Sequence, residues 1–133
     1  VEKREGSMEY ERFIAEVQDA AEVDTTEEAE RITRTTLTTL AVRLGGGEAG
    51  DLADQLPEPL KEQVADAGVS QERFTLEDFF ARIGEAEDID PLEAEERVRA
   101  VTGVMSEAIT RGELIDVFSR LPEDFTDLFS PRS

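Results

Sequence analysis

The sequence predicts an all-α protein of about eight helices, in two similar four-helix units packed as one pseudo-two-fold domain. Three observations predict it. Apolar residues recur at i, i+3, i+4 and i+7 along most of the chain, which gathers them on one face of a helix. Start and stop signals punctuate that periodicity, chiefly Thr25 with Glu28, Gly45-Gly46-Gly47, and Asp90-Pro91. The two halves of the chain also match each other in order.

The elements follow from local chemistry. Residues 1–7, Val-Glu-Lys-Arg-Glu-Gly-Ser, lack periodicity and read as a tag-like or disordered start. The first unit is expected over residues 8–68. Tyr10, Phe13, Ile14, Val17, Ala20 and Ala21 form the face of a first helix that Ser7 could cap. Thr25 and Glu28 have capping-box spacing before a second helix with Ala29, Ile32, Thr36, Leu37, Leu40, Ala41 and Leu44 on one face. The three glycines end it, since glycine accepts the positive φ of a helix C-terminus. A short segment with Ala49, Leu52, Ala53 and Leu56 follows, and Pro57 and Pro59 restart the chain before Leu60 and Val64.

The second unit is expected over residues 69–130, with 131–133 a frayed tail. Thr75 is placed to cap a helix bearing Leu76, Phe79, Phe80 and Ile83. Asp90-Pro91-Leu92-Glu93 combines an N-cap Asp, Pro at the first position and Glu at the third. Leu92, Val98, Val101, Met105, Ala108 and Ile109 continue that helix, and Gly112 is expected to stop it. Leu114, Val117, Phe118 and Leu121 make a short helix, and Phe125, Leu128 and Phe129 close the chain after Pro122.

The repeat is read at an offset of 66 that slips to 65. At 66, Phe13 meets Phe79, Val17 meets Ile83, Asp24 meets Asp90 and Arg31 meets Arg97. At 65, Leu40 meets Met105, Gly47-Glu48 meets Gly112-Glu113, and Leu56-Pro57-Glu58 meets Leu121-Pro122-Glu123. A unit of this size is marginal alone, so the two are expected to bury their apolar faces against each other.

Composition narrows the function. The 133 residues hold 33 Asp and Glu against 14 Lys and Arg, a net charge of −19. That charge repels phosphates and anionic lipid, so neither nucleic acid nor a membrane is an expected partner. No run approaches the roughly 18 apolar residues of a membrane span, and no charged n-region with an apolar h-region opens the chain. A cytoplasmic protein is the expectation. The absence of His and Cys removes histidine bases, thiolates and the common zinc sites. Acidic surface with only two lysines fits a salt-rich cytoplasm, where screening relieves self-repulsion. Loose cation association with that surface is expected, without a designed metal site.

Several segments together resemble a known family. Tyr10-Glu11-Arg12-Phe13, Glu28-Ala29-Glu30-Arg31, Gly47-Glu48-Ala49-Gly50-Asp51-Leu52 and Gln55-Leu56-Pro57 are similar to a small helical prokaryotic family catalogued as domain of unknown function 2267. Asp78-Phe79-Phe80, Glu95-Glu96-Arg97, Gly112-Glu113-Leu114 and Arg120-Leu121-Pro122 repeat the pattern, with Ile115 where the first half has Gly50. The resemblance covers Met8 to about Phe129. It implies the helical repeat fold and supplies no activity.

Local motifs resolve to structure rather than chemistry. Gly45-Gly46-Gly47 is followed by Glu48, not the Lys-Ser/Thr of a phosphate loop. Asp88-Ile89-Asp90 lacks the later ligand and the glycine of a calcium loop. No cofactor is called for and no catalytic residue is assigned, so the chain reads as non-enzymatic. Arg31 and Arg97, with Arg34 and Arg99 as helpers, are candidates for a carboxylate or phosphate clamp between the repeats, against the plainer reading of helix-orienting ion pairs. Phe125, Leu128 and Phe129 are candidates for an outward-facing partner or dimer contact, against the plainer reading of core. A protein-interaction or scaffold module is the leading functional expectation. A small-molecule or anion sensor is the alternative.

Overall fold

A computed structural model of the chain describes residues 9–119, 121, 122, 125 and 128. The described residues form seven α-helices and no strand: α1 Tyr10–Ala21, α2 Thr26–Leu44, α3 Gly46–Asp54, α4 Leu60–Ala67, α5 Leu76–Glu87, α6 Pro91–Ala108 and α7 Arg111–Phe118. The eighth expected helix, after Pro122, is described only at Phe125 and Leu128.

The caps explain where the helices begin. Thr25 accepts the Glu28 N–H at 3.1 Å, Asp90 accepts that of Glu93 at 2.8 Å, and Thr110 accepts that of Glu113 at 3.3 Å. Each satisfies a donor that the first turn leaves without a helical partner. Thr75 and Asp78 close a reciprocal capping box, whereas Glu28 turns its carboxylate to Arg97 and leaves the Thr25 box half made. Ser7 lies outside the described residues, and Glu9 holds the N-cap position of α1.

The helix ends follow two patterns. α1 and α5 each run for 12 residues and stop at a non-glycine left-handed residue, Glu22 at φ 58° and Asp88 at φ 60°. The N–H that follows returns to the helix in both, from Val23 to the Gln18 carbonyl at 3.2 Å and from Ile89 to the Gly84 carbonyl at 2.9 Å. That six-to-one closure satisfies a terminal carbonyl and turns the chain back sharply. α2 instead ends on Gly45 at φ 72°, where a β-carbon would also stand 2.5 Å from the Gln71 side chain. Gly112, expected as a stop, is the second residue of α7. α6 ends at Ala108 because Ile109 is extended, ahead of the Thr110 cap.

α2 lies at the centre, packed against α1, α3, α4, α5 and α6. α6 packs on both α1 and α5, and α3 packs on α4 and α7. One apolar core fills the interior, with Phe13, Val17, Ile32, Leu40, Leu60, Phe79, Ile83, Val98 and Met105 fully or almost fully withdrawn from water. Leu92, expected on the apolar face of α6, is exposed in its first turn. Residues between α4 and α5 are laced to the end of α2. Gln71 Nε2 donates to the Leu44 carbonyl at 3.0 Å, and the Glu72 N–H donates to the Val42 carbonyl at 3.0 Å. These bonds satisfy carbonyls that the last turn of α2 would otherwise leave open.

Phe125 and Leu128 are 0% and 5% exposed, so they do not form the outward-facing patch considered from the sequence. The Phe125 ring sits 5.9 Å from that of Phe79, and the Arg43 guanidinium lies 5.3 Å from its centroid. The Leu128 carbonyl accepts the buried Thr102 hydroxyl at 3.1 Å. Aromatic packing with a cation over the ring, and a buried hydrogen bond, hold these residues inward. Phe129 lies outside the described residues.

Candidate functional site

The four arginines singled out from the sequence do not converge. Arg31 Nε donates to Glu87 Oε1 at 2.9 Å, and the Thr35 hydroxyl donates to Glu87 Oε2 at 2.9 Å. The Glu87 side chain is 1% exposed, while Arg31 is 49% exposed. A carboxylate this withdrawn needs both oxygens satisfied, and one turn of α2 supplies both donors. The hydrogen bond that Arg31 donates to Glu87, followed by the Glu87 charge, holds the Arg31 guanidinium above its usual pKa. Arg97 Nη1 contacts Glu28 at 3.3 Å and Nη2 contacts Glu93 at 2.7 Å. Glu28 also acts electrostatically on Arg31. Two guanidiniums therefore share one network with three carboxylates, Glu87, Glu28 and Glu93, spanning α5, α2 and α6. Its charge sums to −1, the wrong sign for drawing in an anion.

The matched spacing of Arg31 and Arg97 does not carry into the helices. Arg31 lies six residues beyond the Thr25 cap (31 minus 25), but Arg97 lies seven beyond the Asp90 cap (97 minus 90). One residue rotates a side chain about 100° around a helix, so the two face differently. The left-handed caps Glu22 and Asp88 stand 66 residues apart, but the N-caps Thr25 and Asp90 stand 65 apart.

Arg34 is exposed, and its charge acts on Tyr10. The Tyr10 hydroxyl donates to Glu30 Oε2 at 2.9 Å. Burial, then the bond to Glu30 and its charge, push the phenol up to about 12. Tyr10 thus stays protonated throughout the physiological range and offers no phenolate base. Arg99 pairs with Glu95 one turn earlier on α6 at 3.0 Å.

Arg99 also lines a feature that sequence reasoning missed, an open groove of about 720 Å³ between α1 and α6. Ala15 and Ala20 on α1, and Ala100, Gly103 and Val104 on α6, supply its small apolar surface. Glu16, Asp19 and Glu107 give it an acidic rim. Gly103 is exposed in the interior of α6, and no atom lies within 4 Å of where its β-carbon would stand. A glycine there costs about 1 kcal/mol relative to alanine without relieving any crowding. A mid-helix glycine remote from both caps was the available signal.

Among the described residues, no three acidic side chains converge as a metal-ligand set. No described helix is long and apolar enough to cross a membrane. No curated protein matches the chain. The model of the family described as "Uncharacterized conserved protein (DUF2267)" matches residues 10–128, and the chain belongs to that family.

Proposed function

We propose that this protein is a soluble, non-catalytic, cytoplasmic interaction or scaffold module with an acidic surface adapted to high salt. The observation that carries this reading is the open α1–α6 groove, a concavity with small apolar walls and little catalytic equipment. The only tyrosine is held protonated, and the chain has no His or Cys.

We further infer that the chain is an internal duplication whose halves are related by an approximate two-fold axis. Left-handed caps 66 residues apart at Glu22 and Asp88 support it, as do N-caps 65 apart at Thr25 and Asp90, and at Gly45 and Thr110. The packing is reciprocal as well: α1 of the first half lies on α6 of the second, and α5 of the second lies on α2 of the first. On this reading, the two long helices and the two short ones, α2 with α6 and α3 with α7, meet across the axis.

The anion-sensor reading is weaker. It requires Arg31 to leave Glu87, and Arg97 to leave Glu28 and Glu93, in a cluster that is already net negative. Affinity capture from native lysate at native-like salt, with prey identified by mass spectrometry, tests the interaction reading. A stoichiometric protein partner is expected, and a clean bait would count against it. The salt adaptation is tested separately by circular dichroism. Helical content is expected to rise as KCl goes from dilute to molar, and complete helicity in dilute buffer would overturn that part.

A further inference from the structure

We infer that the α1–α6 groove docks a basic amphipathic helix of a partner protein; this rests on the interaction reading above. Three observations meet there. The first is the concavity itself. Its α6 wall runs from Arg99 to Glu107, nine residues spanning about 12 Å of helix. That is two turns, long enough to seat the contact face of a short helix.

The second is an internal contrast between two seams that the repeat makes equivalent. In the α2–α5 seam, Glu87 bridges to Thr35 and Arg31. Shifting by 66 on the first helix and 65 on the second puts Ala21, Ala100 and Glu96 at those places in the α1–α6 seam. None of these can rebuild the bridge. Thr38, whose hydroxyl donates to the Arg34 carbonyl of its own helix at 2.7 Å, has Gly103 as its counterpart at the same shift. The fold therefore closes one seam with polar side chains and strips the other to Ala and Gly, at a cost to α6. Small side chains at a helix-docking surface let a second backbone approach closely, and Gly103 has open space above it rather than a neighbour of its own.

The third is charge. Glu16, Asp19 and Glu107 flank the small floor; Glu16 pairs with Arg12 at 3.0 Å and Arg99 with Glu95 at 3.0 Å, so Asp19 and Glu107 carry the rim's excess negative charge. A second copy of this chain, at −19, would be repelled from that rim. A helix with Ala, Leu or similar residues at i, i+3, i+4 and i+7, flanked by Lys or Arg, matches both floor and rim.

The test is selection of displayed helical peptides against the folded protein, at the lowest KCl that keeps its circular dichroism fully helical. Enriched peptides are then titrated against Gly103→Leu, Glu107→Lys and Ala20→Leu. Gly103→Leu fills open space and replaces a poor helix former, so its melting temperature is expected to hold or rise. The expected result is enrichment of basic amphipathic helices whose affinity falls at least tenfold with Gly103→Leu and several-fold with Glu107→Lys. Enriched peptides insensitive to Gly103→Leu would overturn the groove while leaving the interaction reading intact. Equal binding by sequence-scrambled versions, or full competition by spermine, would overturn the helix in favour of bare charge attraction. No enrichment at all would overturn the docking proposal and the interaction reading together.

Discussion

The α2–α5 and α1–α6 seams each set a 12-residue helix against a longer one, yet they are closed differently. Glu87, at the last position of α5, is drawn beneath Arg31 and Thr35 and loses nearly all its contact with water. Ala21, at the last position of α1, has no side-chain group to form such a bridge, and Ala100 and Gly103 line the α6 wall of the groove without one. On the duplication proposed above, the fold presents the same geometric problem twice. Solving it by a buried polar bridge in one place and by a bare groove in the other separates what the fold requires from what it merely permits. The bridge ties α5 to α2. The groove's Gly103 lowers the helix propensity of α6 without relieving a close contact.

The sharpest test of that contrast is Arg31→Met. It leaves Glu87 buried with only the Thr35 hydroxyl as partner, and an uncompensated buried carboxylate is costly. Because Arg31 is half exposed, water can replace part of what is lost, so the expected destabilisation is about 2 kcal/mol by urea denaturation. A loss below roughly 0.5 kcal/mol, the scale of a surface pair, would show that the bridge does not hold the seam. Next in size is a pair of glycines. A β-carbon at Gly84 would stand 2.8 Å from the Ile89 carbonyl, within the tight turn that ends α5. Gly84→Ala is expected to lose about 1–2 kcal/mol, the overpacking cost outweighing the gain in helix propensity. Gly103→Ala meets no such atom and is expected to gain about 1 kcal/mol. Thermal melts of the two variants should therefore move in opposite directions.

Much of this fold is legible in the sequence, for identifiable reasons. Thr25, Thr75 and Asp90 announce helix starts because their side chains satisfy backbone donors a fixed distance ahead. Gly45 announces a stop because its φ is positive. Gly112 misleads because a glycine can also sit early in a helix, as it does in α7, while the extended Ile109 does the terminating. The arginine pairing was half legible. Ion pairs were the plainer expectation, but Glu87 is 56 residues from Arg31, and no local spacing names it. Arg31 and Arg97 look equivalent in sequence because their 66-residue spacing does not reveal that their distances from the Thr25 and Asp90 caps differ by one residue. Phe125 and Leu128 are apolar residues near a chain end, and the sequence does not say whether such residues face in. The aromatic contact with Phe79 decides it.

A smaller effect is expected inside α2, beside the bridged seam. The hydroxyls of Thr33 and Thr36 are fully buried with no hydrogen-bond partner. A buried hydroxyl without a partner loses its hydration and gains nothing in return. Thr36→Val keeps the β-branched shape and removes the orphaned oxygen, at nearly equal helix propensity. Stability is expected to rise by about 1 kcal/mol. A comparable loss in urea denaturation would reveal that the hydroxyl is satisfied in solution, and α2 would then carry a polar contact absent from the described packing.

The smallest effect belongs to the open seam, and its smallness is the point. Glu95 and Arg99 pair one turn apart on α6, with their side chains 35% and 26% exposed. The acidic member comes first, the favourable order for the helix dipole. Such a pair is worth about 0.3–0.5 kcal/mol, because water already solvates much of both charges. Glu95→Gln should therefore change stability by no more than that, and added KCl should erase the difference. It would also remove one negative charge beside the groove wall, making the rim less negative. If the groove selects basic helices by charge, Glu95→Gln should weaken them several-fold while barely moving the melting temperature. Arg31→Met, in the other seam, should do the reverse: a large loss of stability and, in the fraction still folded, unchanged affinity. Equal effects of the two substitutions on stability would mean that the seams are alike in energy, and the contrast between them would lose its force.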